Sequence, residues 1–161
     1  MNPKARNRKP LDRTDRRILE CLQMDGRISN VQLAKKVNLT PTPCIERVKR
    51  LERQGYIRGY TAMLDPEMVN ASLLVFVEID LSHTSPDAFR RFSEEARRLP
   101  EIMDCHLVSG NFDYLIKARV SDMKAYRELL GDKILSLPFV NGSRSYVVME
   151  EVKETSILPL F

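Results

Sequence analysis

The spacing of apolar positions changes character near residue 56. Up to that point they recur every three or four residues, the signature of short amphipathic helices. Asp12 followed by Asp15 reads as a capping-box pair opening a first helix. Its buried stripe is Ile18, Leu19 and Leu22, and Asp25-Gly26 ends it. Ser29 or Asn30 caps a second, short helix with Leu33, Ala34 and Val37 inward. Asn38, which tolerates the left-handed conformation, closes that helix, and Leu39 plugs the turn. Thr40-Pro41-Thr42-Pro43 opens a third helix, because first-turn amides have no helical partner to lose. It runs through Arg53 to the stop at Gly55. Three short helices with a tight turn between the second and third make a helix-turn-helix.

From Tyr56 to Ala62 the pattern becomes strand-like, and a linker follows over 61–71. The remainder predicts a strand Leu73–Leu81, a helix Pro86–Leu99, a strand Ile102–Val108, a turn at Ser109-Gly110-Asn111 and a strand Phe112–Val120. A helix Asp122–Leu137 and a strand Val140–Val152 complete it. This β-α-β-β-α-β order is the split βαβ of a ferredoxin-like sandwich, so the chain is α+β with an N-terminal helix-turn-helix of winged-helix type. The domains expected are a basic, disordered arm (1–10), a helix-turn-helix head (11–60), a ferredoxin-like domain (72–153) and a tail (154–161). Helices on one sheet face leave the other to be covered, and Leu74, Phe76, Val147 and Met149 predict a partner surface there. The apolar end, Ile157-Leu158-Pro159-Leu160-Phe161, suits docking on a neighbour.

Charge sharpens the division. Residues 1–60 hold 15 Lys/Arg against 6 Asp/Glu, a net of +9, whereas 61–161 sum to −5. A compact cationic third suits nucleic acid, where released counterions supply sequence-independent affinity. On the third helix, at about 100° per residue, Ile45, Val48 and Leu51 form the apolar stripe with Cys44 at its edge. The opposite face carries Pro43, Glu46, Arg47, Arg50 and Gln54. Arg47 and Arg50 there suit bidentate readout of guanine, while Lys36, Lys49 and Arg53 suit phosphates. Thr40 and Thr42 join this DNA-facing set at the helix start.

Other chemistry is thin. Cys21, Cys44 and Cys105 are odd in number and lack a CxxC, which fits neither a disulfide framework nor zinc. The histidines, His83 and His106, have no metal-ligand spacing around them, and Cys105 and His106 point to opposite faces of a strand. No phosphate-binding glycine motif occurs, so no catalytic residue, metal or cofactor is expected, nor an enzyme. The longest uncharged apolar stretch, Ala71–Val77, is far below the roughly 20 residues of a membrane helix. The basic start lacks an apolar core like that of a secretory signal, so a reduced, cytoplasmic protein is expected, associated with the nucleoid where its cationic third binds DNA.

Several segments carry a family resemblance: Leu11-Asp12-Arg13-Thr14-Asp15-Arg16-Arg17-Ile18-Leu19, Asp25-Gly26-Arg27-Ile28-Ser29-Asn30, Thr40–Val48 and Cys105–Leu115. From Leu11 to about Val152 the chain resembles the Lrp/AsnC, or feast/famine, regulators of bacteria and archaea. The resemblance implies a transcriptional activator or repressor with a DNA-binding domain, an amino-acid-sensing βαββαβ domain (often called RAM), and homodimers assembled into octamers or larger rings on double-stranded DNA. It also implies a free amino acid, leucine foremost, bound between neighbouring dimers around Ser109, Gly110, Asn111 and Asp113. Gly110 suits close backbone approach, and Asp113 an α-ammonium. By the same resemblance Leu107, Met123, Tyr146 and Val148 belong to the effector response or that surface. The chain departs from the family pattern at Asn111, where aspartate is implied. Two alternatives differ in class: a ligand-free architectural DNA-binding protein, and an RNA-binding module stacking bases on Phe112 and Tyr114.

Overall fold

The computed structural model describes residues 10–161, so all but Pro10 of the expected basic arm lies outside the described residues. The described chain forms two compact units: residues up to Met63 together with Glu154–Phe161, and Leu64–Lys153.

The first unit holds α1 (Arg13–Met24), α2 (Asn30–Lys36) and α3 (Pro41–Arg53). Asp12 and Asp15 close a reciprocal capping box at the start of α1, and Ser29 does the same with Gln32 on α2. The ends of α2 and α3 are built alike. Asn38 stands at φ 55° and Gly55 at φ 74°, each just past a helix. The amides of Asn38 and Leu39 donate to Lys35 O and Ala34 O at 3.3 and 2.9 Å. Those of Gly55 and Tyr56 donate to Glu52 O and Leu51 O, both at 2.9 Å. Both are Schellman closures, which satisfy carbonyls the helix end would strand. Ile18, Leu19, Leu33, Ala34, Val37, Cys44 and Leu51 form the core, with Leu11, Ile28, Leu39, Val48 and Ile57 packed around it. Cys44 is fully buried and sits inside the apolar stripe, not at its edge.

One expectation fails in this unit. Tyr56–Ala62 is not a strand: the described chain offers it no partner ladder, and its first two amides are spent on Leu51 O. The tail, expected to suit a neighbour, lies along the helices of its own chain. Gln23 grips the Leu158 backbone from both sides, donating from Nε2 to its carbonyl at 3.0 Å and accepting its N–H at 2.7 Å. Leu160 packs on the helical core.

The second unit is a four-stranded antiparallel sheet with helices on one face. Its elements are β1 (Leu73–Leu81), α4 (Pro86–Ala96), β2 (Ile102–Leu107), β3 (Tyr114–Val120), α5 (Met123–Glu128) and β4 (Val140–Val147). The strand order β2-β3-β1-β4 is that of the expected sandwich. α5 widens into a π-type turn over Leu129–Ile134, around Gly131, before the chain reaches β4. Val75, Val77, Ile79, Phe92, Ile116, Ala118 and Ile134 anchor the core between sheet and helices.

Register decides which apolar residues face away from the helices. Phe76 pairs with Lys117 and Tyr146, and Leu74 with Arg119, so these line the open face. Val147 instead pairs with buried Val75, on the helix side, and leaves the set expected to cover a partner. Leu74 is already 5% exposed without one. β4 ends at Val147, short of the expected Val152, and Met149 is fully exposed beyond it. The open face carries Glu78, Asp80, Asp104, Lys117 and Arg144 besides its apolar residues, with Arg144 and the Tyr146 hydroxyl both bound to Glu78.

Candidate nucleic-acid interface and effector-binding surface

α3 is exposed along one stripe. Thr42, Glu46, Lys49 and Arg53 are spaced four, three and four residues apart, so all fall within about 60° of the helix circumference, and all four are exposed. At the same end Thr40, Pro41 and Pro43 are exposed. Thr40 makes no side-chain cap, and the prolines at the first and third positions remove amides the first turn would otherwise leave bare. Lys35 and Lys36, in the last turn of α2, are exposed beside the turn that leads into α3. Arg17 Nε donates to Lys36 O at 3.1 Å, tying α1 to the carbonyl end of α2.

Arg47 and Arg50 do not share that stripe. They sit on the flank of α3 that meets the start of α1, and both turn to Asp15, whose side chain is 1% exposed. Arg47 Nη1 reaches Asp15 Oδ1 at 2.8 Å and Asp12 Oδ2 at 2.5 Å; Arg50 Nη2 reaches Asp15 Oδ1 at 2.5 Å. This corrects the expectation that the two arginines face outward. Helical angle alone places them opposite the apolar stripe, but it does not locate a carboxylate 32 and 35 residues away in sequence. The Arg47 guanidinium, with the Asp15 amide, holds the Asp12 carboxyl below the usual carboxylate range. Reciprocally, Asp12 and then Asp15 raise Arg47 above its ordinary value. Arg50 Nε is buried without a hydrogen-bond partner. Lys49 and Arg53, expected to suit phosphates, lie within the exposed stripe.

The residues expected around the effector do not meet in one copy. Ser109, Gly110 and Asn111 are exposed on the β2–β3 turn, with Leu107 just before it, 55% exposed. Asp113 stitches that turn to the end of β1: its amide donates to Ile79 O at 2.9 Å, and its Oδ2 accepts the Leu81 N–H at 2.8 Å. A carboxylate expected to hold an ammonium thus has one oxygen engaged by backbone. Nothing lies within 4 Å of where a Gly110 Cβ would stand, so within one copy no close approach requires glycine. Met123 starts α5, beyond the far end of β3, about 20 Å away along the strand. Tyr146 pairs with Phe76, in mid-sheet. The Val148 amide donates to Leu74 O at 3.0 Å, toward the Met123 end.

Elsewhere the structure restricts the chemistry. Burial pushes the Cys105 thiol up to about 11, leaving it protonated against the core. Tyr114 is 3% exposed and packs on Phe92 at 4.3 Å between ring centroids, with its hydroxyl on Ser93 and Phe89 O. It therefore offers no face on which an RNA base could stack. Among the described residues no helix is long and apolar enough to cross a membrane.

Comparison with known proteins finds a match for each domain. Residues 11–58 match the model of a winged helix-turn-helix DNA-binding domain, and residues 74–158 that of the Lrp/AsnC ligand-binding domain. The leucine-responsive regulatory protein of Escherichia coli K12 is 61% identical over 158 residues, covering 98% of this chain and 96% of the relative. That of Serratia marcescens is 62% identical over 155 residues, 96% of this chain and 94% of the relative. Among solved structures, a transcriptional regulator from Neisseria meningitidis in complex with L-Met superposes with a TM-score of 0.88 at 39% identity, covering 93% of this chain and 97% of that one. An AsnC family regulator from Agrobacterium tumefaciens gives 0.88 at 38%, covering 92% and 97%. With a helix-turn-helix whose exposed stripe is polar and cationic, and a βαββαβ unit matching an amino-acid-sensor family, the chain belongs to the Lrp/AsnC family of transcriptional regulators.

Proposed function

We propose that this regulator sets α3 of paired copies into successive major grooves, and that an amino acid, leucine foremost, alters how many copies bind together. The observation that carries the DNA half is the exposed stripe Thr42, Glu46, Lys49 and Arg53 in a region of net charge +9. Lys36, Lys49 and Arg53 hold phosphates. Thr40, Thr42, Pro43 and Glu46 approach base edges, where a glutamate accepts from cytosine N4 and threonine suits either donors or a thymine methyl. Arg47 and Arg50 act from behind, through Asp15. The working division is a head over 11–60, a linker over 61–71, a sensor over 72–153 and a tail over 154–161.

Leucine is supported by the 61% identity to leucine-responsive proteins, and methionine is its first competitor, given the L-Met complex of the Neisseria relative. Ser109, Gly110, Asn111 and Asp113 receive the polar end of the effector, while Leu107, Met123, Tyr146 and Val148 serve the apolar side or the surface between copies. The separation of these residues along the sheet supports a site completed by a second copy, hence dimers and larger assemblies. No side chain is assigned a catalytic role and no metal or cofactor is invoked. An effector bound in the sensor acts on DNA binding only through its different affinity for two assemblies, and avidity then multiplies a modest coupling. Anisotropy titrations of a duplex against the full chain, with and without leucine or methionine, test both halves alongside calorimetry. Saturable heat from one amino acid and a shifted duplex affinity are expected. Absence of heat from every amino acid leaves the ligand-free architectural alternative.

A further inference from the structure

Asp15 is the one fully buried carboxylate among the described residues, and it is placed where two cations of the recognition helix must answer it. Its Oδ1 takes both Arg47 and Arg50, and its Oδ2 accepts the Asp12 amide at 3.2 Å. The guanidiniums are themselves mostly covered, at 30% and 21% side-chain exposure. A buried carboxylate so placed is a costly way to secure stability alone, because desolvation consumes most of the attraction. Its geometric effect is definite. It fixes the start of α1 against the middle of α3 and withholds two positive charges from the surface beside the exposed stripe.

We propose that Asp15 is a specificity-determining positioning residue: it keeps Arg47 and Arg50 off the DNA backbone and orients α3 so that base contacts, not added phosphate contacts, decide affinity. The proposal rests on the reading of α3 as the duplex-facing helix. Arginine released beside a groove finds phosphate on any sequence, raising affinity for all DNA alike. A head with two more such contacts would bind random duplex better and distinguish sites less. Holding the pair inward suppresses that competition.

The test compares the full chain with Asp15→Asn, which keeps the shape and weakens both pairs. Binding is measured on a cognate and a scrambled duplex over a salt series, with thermal unfolding of each protein alongside. For Asp15→Asn the slope of log affinity against log salt on scrambled duplex steepens by about 0.9 per released guanidinium. Each release also adds about a 3-fold greater loss of affinity between 50 and 200 mM salt, and the ratio of cognate to scrambled affinity falls. An unchanged slope and ratio would overturn the proposal, even with a lower melting temperature, since the cluster would then be only a brace. Should Asp15→Asn fail to fold, Arg47→Gln and Arg50→Gln decide: each leaves the scrambled-duplex slope at the parental value, and a slope shallower by about 0.9 overturns the assignment by showing a phosphate contact. Failure of the underlying reading looks different, because the parental chain itself would then show no salt-dependent duplex binding.

Discussion

The two units solve the problem of stability with different materials. The sensor sheet buries large apolar groups in depth, Phe92, Ile79, Ile116 and Ile134 among them, while ion pairs such as Lys133–Glu101 and Arg144–Glu78 stay partly exposed outside that core. The head has a thin core, seven buried apolar residues among those described, and supplements it with helix closures and an ion-pair cluster at the start of α1. A domain this small buries a lower fraction of its surface, so local devices carry more of its shape. The head's geometry therefore responds to charge and to its helix ends, whereas the sheet responds to packing.

Large-to-small substitutions break the comparison most sharply. Phe92→Ala should cost about 3–5 kcal/mol and abolish the heat of amino-acid binding. Leu51→Ala, also completely buried, should cost about 2–5 kcal/mol and remove duplex binding first. Denaturant unfolding followed by both binding assays checks whether the losses separate. If each substitution removed both activities equally, the units would be one cooperative body.

Next in size is the exposed stripe. Lys49→Gln and Arg53→Gln should each make the salt dependence shallower by about 0.9 on any duplex and leave the melting temperature within a degree or two. Replacing Glu46 by Gln should change the ranking of duplex sequences with little change in salt slope, read by competition among sites.

Smaller still is the loss of the α1 cap. Asp12→Ala removes an oxygen that accepts the Asp15 amide at 2.7 Å, and should cost about 0.5–2 kcal/mol. The pH dependence follows from its lowered pKa. A carboxyl held below its ordinary value of 3.8 stabilises the fold fully above that value, and the contribution disappears as pH falls through the lower, folded value. Stability curves of the parental chain and Asp12→Asn should thus run parallel near neutrality and approach each other below pH 3.8. The smallest effect is Gly110→Ala. With open space around that position, melting of the lone chain should move by less than about 0.5 kcal/mol, so any loss of effector response in calorimetry reports a neighbour that the assembly brings to the turn.

Sequence reading succeeded where the information is local. Asp12, Ser29, Asn38 and the prolines at 41 and 43 announce their helix ends because capping and left-handed turns depend on a few adjacent residues. The order of strands and helices in the second unit was legible for the same reason, since each element carries its own period and stop. The failures were all pairings. Tyr56–Ala62 has the composition of a strand without a ladder, and Val147 changed faces because register depends on the partner strand. Asp15 looked like half of a cap until its other oxygen proved to be the anchor of Arg47 and Arg50. The candidate effector residues were selected by resemblance, and only the sheet geometry shows that they lie at different ends of it.

The clasp between Gln23 and the Leu158 backbone has a practical consequence for anyone handling this protein. The last residues of the polypeptide belong to the same body as its first helices. A purification handle or fluorescent fusion joined after Phe161 would therefore tug on the operator-reading end of the molecule, and a reporter placed there would register events on that end, not those in the metabolite sensor.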